Sequence, residues 1–213
     1  MAVRHSLSTA SVRVMAAVAL VSLSVSCERK PAPAPARAVR VSPSELFVGD
    51  LKRLEPHLGL TTGCVRLDSS GPALWLGMET ELWRGGKRIK SLGASHRRWE
   101  GPGEASISLK EETGPSGKPK CRLVEASSGK SGGGSATQVF DMPEPGGGNR
   151  MSHVEKLRGP VELSEGKPVA VWAYLVHEGP EFRGGEGKSI EEEAKRAKWA
   201  IVWKLSWEEL KDR

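Results

Sequence analysis

The chain has 213 residues and a formal net charge of +6, from 32 Lys and Arg against 26 Asp and Glu. Two of the basic residues lie within residues 1–26 and four more (Arg29, Lys30, Arg37, Arg40) within 28–44, while Glu28 alone among the acids precedes residue 45, so residues 45–213 hold 26 basic against 25 acidic side chains, a net of +1. A nearly neutral body of this length holds one domain with a real core and is short for two, and the basic charge of the signal and tether is poor evidence for a nucleic-acid partner, so none is expected.

The N-terminus carries Arg4 and Arg13 and no acid, followed by the uncharged run VMAAVALVSLSVS of residues 14–26. A positive start, about a dozen apolar and small residues, and a small residue before the cut form an export signal too short to span a bilayer. Cys27 follows directly, and Leu23-Ser24-Val25-Ser26-Cys27 resembles the lipobox of bacterial lipoproteins, with Ser24 where a Leu is favoured. The resemblance covers residues 1–27 only. It implies a diacylglycerol on the Cys27 thiol, cleavage before Cys27, and acylation, palmitate among the acyl chains, of the new amino terminus. Two or three chains anchor a protein stably, which one chain does not. The implied product is a protein of the bacterial cell envelope, held to a membrane on its extracytoplasmic side without a transmembrane helix. An ordinary secretory signal cut near Ser26 is the alternative reading.

Residues 27–43 read as a lipidated cysteine and a basic tether. Alternating Pro and Ala over residues 31–35 favour a semi-rigid polyproline-type spacer, reaching ~50 Å at about 3 Å per residue. Its charges can rest on anionic headgroups or simply be solvated.

Residues 44–213 then form a single domain. Ser44 is placed to cap a helix reading ELFVGDLKRLE, with Phe47, Leu51 and Leu54 on one face and Gly49 weakening it. Residues 73–83 (ALWLGMETELW) alternate as a strand, and Gly85-Gly86 suits a tight hairpin returning over 87–92. Short strands follow near 106–110, 120–125, 137–141 and 154–157, with mobile polar loops expected over 129–135 and 143–149. Residues 168–177 (PVAVWAYLVH) are apolar on both faces, as in a central strand. Ser189 with Glu192 three residues on is a capping-box pattern opening a helix. Over 199–207, Trp199, Ile201, Trp203, Leu205 and Trp207 share one strand face. The expected architecture is mainly β: an antiparallel sandwich or barrel-like domain with one or two short helices.

Three cysteines are one for lipid and a pair, Cys64 and Cys121. An oxidising envelope permits a disulfide between them, worth about 4 kcal/mol in the chain-entropy model, and two buried thiols are the alternative. No metal site or cofactor is expected, because neither cysteine has a ligand-spaced partner, and His57, His96, His153 and His177 are scattered. The acids Glu191, Glu192 and Glu193 point in different directions along a helix, which makes a poor cation cage. Gly129-Lys130-Ser131 ends like a phosphate-binding loop, but Val124 stands where the first glycine belongs, and Gly132-Gly133-Gly134 follows instead of a helix. The same tract satisfies GxSxG without the strand and helix that a nucleophile elbow needs.

Seven Trp against three Phe and one Tyr remain as a signal. Trp199, Trp203 and Trp207 could form a platform for sugar rings, although Ile201 and Leu205 between them favour a core. The sequence therefore favours a non-catalytic, lipid-anchored binding or structural module, with an envelope protein or a glycan as partner. An envelope hydrolase with a dispersed active site is the other class.

Overall fold

The computed structural model describes residues 37–143, 150–178 and 188–210. Cys27 and the lipobox lie outside the described residues, as do residues 144–149 of the second expected loop. The domain is an antiparallel β-sandwich. Its first sheet contains β1 (Val39–Ser44), β2 (Leu60–Ser69), β5 (Gly103–Thr113), β6 (Pro119–Gly129), β7 (Gly132–Asp141) and β9 (Val161–Leu163), in the order β7-β6-β5-β2-β1-β9. The second contains β3 (Leu74–Arg84), β4 (Lys87–Trp99), β8 (Arg150–Lys156), β10 (Val169–Glu178) and β11 (Trp199–Glu209), in the order β4-β3-β11-β10-β8.

Period-two alternation accounts for the packing. Ala105, Ile107 and Leu109 of β5, and Ile201, Trp203 and Leu205 of β11, meet in one core drawn from both sheets. The opposite face of β10 and β11 is covered by a helix, α2 (Ile190–Arg196), whose Ile190 and Ala194 pack with Ala173, Leu175, Ala200 and Val202. That cover is why residues 168–177 read as apolar on both sides. The capping box forms as the sequence predicts: Ser189 Oγ accepts from the Glu192 N–H at 3.2 Å, and Glu192 Oε2 accepts from the Ser189 N–H at 2.8 Å. Gly85 and Gly86, with φ of 56° and 79°, make the β3–β4 turn.

Several expectations are corrected. The domain begins before residue 44, since β1 occupies residues assigned to the tether; its Pro43 lies beyond the reach of three-residue β9, where no ladder donor is needed. The helix capped by Ser44 does not form. A 3-10 turn (Gly49–Leu54) leads into α1 (Glu55–Leu58), neither buries a residue, and Gly49 at φ 56° prevents a continuous right-handed helix from Ser44. Residues 129–135 are not a long loop, because Gly129 pairs with Gly132 across a two-residue turn.

Of the two readings left open for the cysteine pair, the structure has the buried free thiols, with no bridge between Cys64 and Cys121. Strand β5 separates them: Cys64 lies opposite its Ser106 and Cys121 opposite its Glu111. An odd offset along one strand places the two sulfurs on opposite faces of the sheet, two strand spacings apart, beyond the ~7 Å that a bridge can span. The tryptophan platform is corrected as well. Trp199, Trp203 and Trp207 are 2 %, 0 % and 6 % exposed, because the face they share with Ile201 and Leu205 is the one turned to the other sheet.

Two outcomes follow from this packing. Trp203→Ala should destabilise urea unfolding by roughly 3–5 kcal/mol through loss of a buried indole, whereas Trp75→Ala, on an exposed position, should cost no more than about 1 kcal/mol. Protein denatured without reductant should take iodoacetamide at both Cys64 and Cys121, read as two added labels by mass, while the folded protein takes neither; unlabelled denatured protein would show a bridge.

Candidate functional site

The ends of the strands define two ends of the sandwich. At one, remote from the entry of the chain at Arg37, Gly59 takes a left-handed conformation (φ 61°), ends α1 and turns the chain into β2. Glu55 of α1 is held by the Thr62 hydroxyl, which donates to its Oε1 at 2.5 Å. This turn, the last residues of β5 and the facing residues of β8 and β10 enclose a cleft of about 520 Å³, lined by Glu55, Thr61, Glu111, Arg150, Ser152 and Tyr174 among others.

A charged network forms one wall. Tyr174 Oη donates to Glu111 Oε1 at 2.6 Å, and Arg150 Nη2 donates to the same oxygen at 2.6 Å and to Tyr174 Oη at 3.2 Å. The Arg150 guanidinium stands 5.4 Å from the centroid of the Trp199 ring, which packs against Tyr174 at 5.7 Å. Burial pushes the Tyr174 phenol above its usual value and the Glu111 hydrogen bond pushes the same way, so the hydroxyl stays a donor. Burial, with the Glu111 charge behind it, raises the nearby Cys121 thiol to about 12. That thiol is too protonated to act as a nucleophile. The arrangement supplies a fixed donor and acceptor set, with the Arg150 and Glu111 side chains 27 % and 45 % exposed and able to meet a solute.

Other clusters have structural partners. On the outer face of the second sheet, Lys204 Nζ lies 3.1 Å from Glu81 and 2.7 Å from Glu191, and Arg88 reaches Glu81 at 3.1 Å. Glu191 is thereby engaged, Glu192 serves the capping box, and Glu193 is buried beside Arg196. His153 and His177, far apart in sequence, stack at 5.2 Å because β8 pairs with β10; burial lowers both, opposed at His153 by Glu155 and Glu193 and reinforced at His177 by His153. His57 lies on α1 and His96 on β4. Among the described residues no group of three or more His, Cys, Asp or Glu is placed to hold a metal ion.

Lys130 and Ser131 form the β6–β7 turn, where Ser131 Oγ donates to the Arg98 carbonyl at 3.0 Å. No helix follows that turn to face a phosphate or present a nucleophile. The residues of the cleft were missed by sequence reasoning, except that Tyr174, the single tyrosine, places a hydroxyl within an otherwise apolar strand. Glu111 and Arg150 give no signal of their own, being two charges among many.

Between the sheets, the Thr80 hydroxyl donates to Oε1 of Glu125, a carboxyl only 1 % exposed. Burial raises its pKa, against the opposing effects of the Thr80 hydrogen bond and the Arg97 charge. A raised folded value means that the folded state keeps a proton the unfolded chain has released, so this contribution to stability is present below the ordinary carboxylate pKa and is lost as pH rises through the folded one. Glu125→Gln keeps an acceptor for Thr80 and should flatten the decline of urea midpoint as pH rises above the ordinary carboxylate range, leaving the variant at least as stable as the parent at the upper end. Among the described residues no helix is long and apolar enough to cross a membrane. Comparison with protein-family models, with curated proteins and with solved structures found no match to the chain.

Proposed function

We propose that this chain is a lipid-anchored protein of the bacterial cell envelope, a non-catalytic module that binds a small hydrophilic ligand in the cleft between α1, β5, β8 and β10. The anchor rests on the export signal and Cys27, and the tether on the Pro-Ala run that follows. The observation that carries the binding role is the Tyr174–Glu111–Arg150 network, held in a cleft of about 520 Å³ at the end of the domain away from Arg37. A carboxylate and a guanidinium side by side offer an acceptor and a donor to neighbouring hydroxyls, and clefts of this volume suit one or two sugar units or a short peptide. Glycan fragments of the envelope are the first ligands this chemistry selects.

Trp199, beneath Arg150, is a built-in reporter. Titration with peptidoglycan fragments and soluble glycans should change tryptophan emission for at least one of them. Arg150→Ala should weaken that ligand about ten- to a hundredfold, the loss of a charged hydrogen bond. Unchanged emission and no calorimetric heat with every fragment would remove the binding role. The anchor is checked separately by the mass of the processed N-terminus: acyl chains on Cys27 are expected, and a bare thiol there would overturn it.

A further inference from the structure

The end of the sandwich where the chain enters carries a second, smaller concavity of about 250 Å³. Here the Ala38 N–H donates to Ser70 Oγ at 3.3 Å, the Ser70 N–H to the Ala38 carbonyl at 3.1 Å, and Arg37 reaches Glu209 at 3.5 Å. The start of β3, the end of β4 and the β6–β7 turn come to this same end, because Leu74 is paired with both Trp99 and Glu209, and Gly103 with Gly129. The notch is lined by Trp75, His96, Arg97, Arg98, Ser127 and Ser131 among others, and by no acid.

Local structure explains the convergence. Trp75 lies opposite Arg98, and Gly77 opposite His96, so Trp75, His96 and Arg98 share the outer face of the hairpin. Arg97, between them in sequence, turns the other way and crosses Gly134: a Cβ there would lie 2.0 Å from its Nη1. At Gly77 a Cβ would lie 2.5 Å from Ser206 Oγ and only in ordinary contact, at 3.4 Å, with His96 Nε2, so the bare backbone there makes room for Ser206. The neighbouring acid, Glu100, is engaged by Lys130 at 3.2 Å. Arg98 has no carboxylate partner among the described residues, in contrast to Arg150 of the cleft. Trp75 is 40 % exposed, while the other six tryptophans are 8 % exposed or less.

We propose that this notch docks on acidic phospholipid, with the Arg97 and Arg98 guanidiniums taking a headgroup phosphate and Trp75 lying at the membrane interface. Guanidinium groups match phosphate geometry, and an amphipathic indole suits the headgroup layer. The choice of a bilayer rests on the anchor proposed above: nine residues separate Cys27 from Arg37, so ten steps of at most about 3.6 Å, roughly 36 Å of chain, join them. The basic end of the domain is thus the end next in chain to the acyl groups, and Arg29 and Lys30 lie between them.

The test uses the full processed protein and acrylamide quenching of tryptophan, to which Trp75 is the accessible contributor. Vesicles of phosphatidylcholine mixed with phosphatidylglycerol should protect Trp75, and phosphatidylcholine alone should not. Protection should disappear near 1 M salt, where the Debye length is about 3 Å, and in Arg98→Gln with an unchanged circular dichroism spectrum. Equal protection by both vesicles, or protection that survives Arg98→Gln, would overturn the proposal. Equal protection by inorganic phosphate would do so too, by making the notch a site for free anions. Mass of the N-terminus from the same sample separates the two readings: a bare Cys27 removes the anchor while the vesicle comparison still decides the notch, and an acylated protein without protection removes the notch alone.

Discussion

Two indole N–H groups tie one sheet to the other, and the rest of the structure is arranged around them. Trp172 of β10 donates to the Thr62 carbonyl of β2 at 3.1 Å, and Trp207 of β11 donates to the Leu163 carbonyl of β9 at 2.9 Å. Apolar contact is indifferent to direction, but a buried N–H must meet its acceptor along a narrow line or be left desolvated and unpaired. These two bonds therefore set where the sheets lie over one another. Gly63 is part of the same constraint: a Cβ there would come within 2.4 Å of Trp172 Cδ1, so only a bare backbone lets the indole lie flat enough on β2 to reach Thr62.

The cleft is a consequence of that registration. Pinning Thr62 against β10 brings Thr61 and the end of β5 over Tyr174, two residues beyond Trp172 on the same face, and Glu111 then meets the Tyr174 hydroxyl. Arg150 enters from the edge strand β8 and closes the triangle, supported from below by Trp199. Each member is positioned by a strand rather than by a mobile loop, which lets the proposed site keep one geometry without ligand. Its members are a phenol kept protonated, a neighbouring thiol raised to about 12, and a Glu111–Arg150 pair that offsets its own charge.

How much of this was legible depends on whether the signal was local. Strands β10 and β11 and the α2 capping box are written in short stretches, in period-two apolar runs and in a three-residue spacing, and they formed as read. Strand β2 was missed because Thr62, Gly63 and Arg66 break its alternation, β9 because it has three residues, and β1 because Pro43 and the Pro-Ala run before it suggested a tether. The pairing of Cys64 with Cys121 could not be judged from spacing along the chain, since parity across an intervening strand decides which face each thiol takes. The cleft draws on α1, β2, β5, β8 and β10. Its chemistry becomes visible only when the topology has placed β8 beside β10 and both over β5.

The sandwich interior is not uniform, and the difference between its flanks bears on the two ends. On the β10–β11 flank the inner face is tryptophan and aliphatic carbon, packed and hydrogen-bonded across the sheets. Toward the edge strands β4 and β7 it becomes polar: Ser95, Gln138 and Glu125 each hold a buried oxygen without a partner among the described residues, and Gln138 fits only because Gly93 has no side chain for its amide to meet. Unpaired buried groups cost about 1–3 kcal/mol each, and the β10–β11 flank carries one too, the N–H of the fully buried Trp203 indole. The cleft stands at the tryptophan-rich flank, where β5, β8 and β10 each fix one member of the Tyr174–Glu111–Arg150 network. The basic notch stands at the polar flank, where Arg98 has no carboxylate partner among the described residues, so the charge proposed to meet headgroups is left open to solvent.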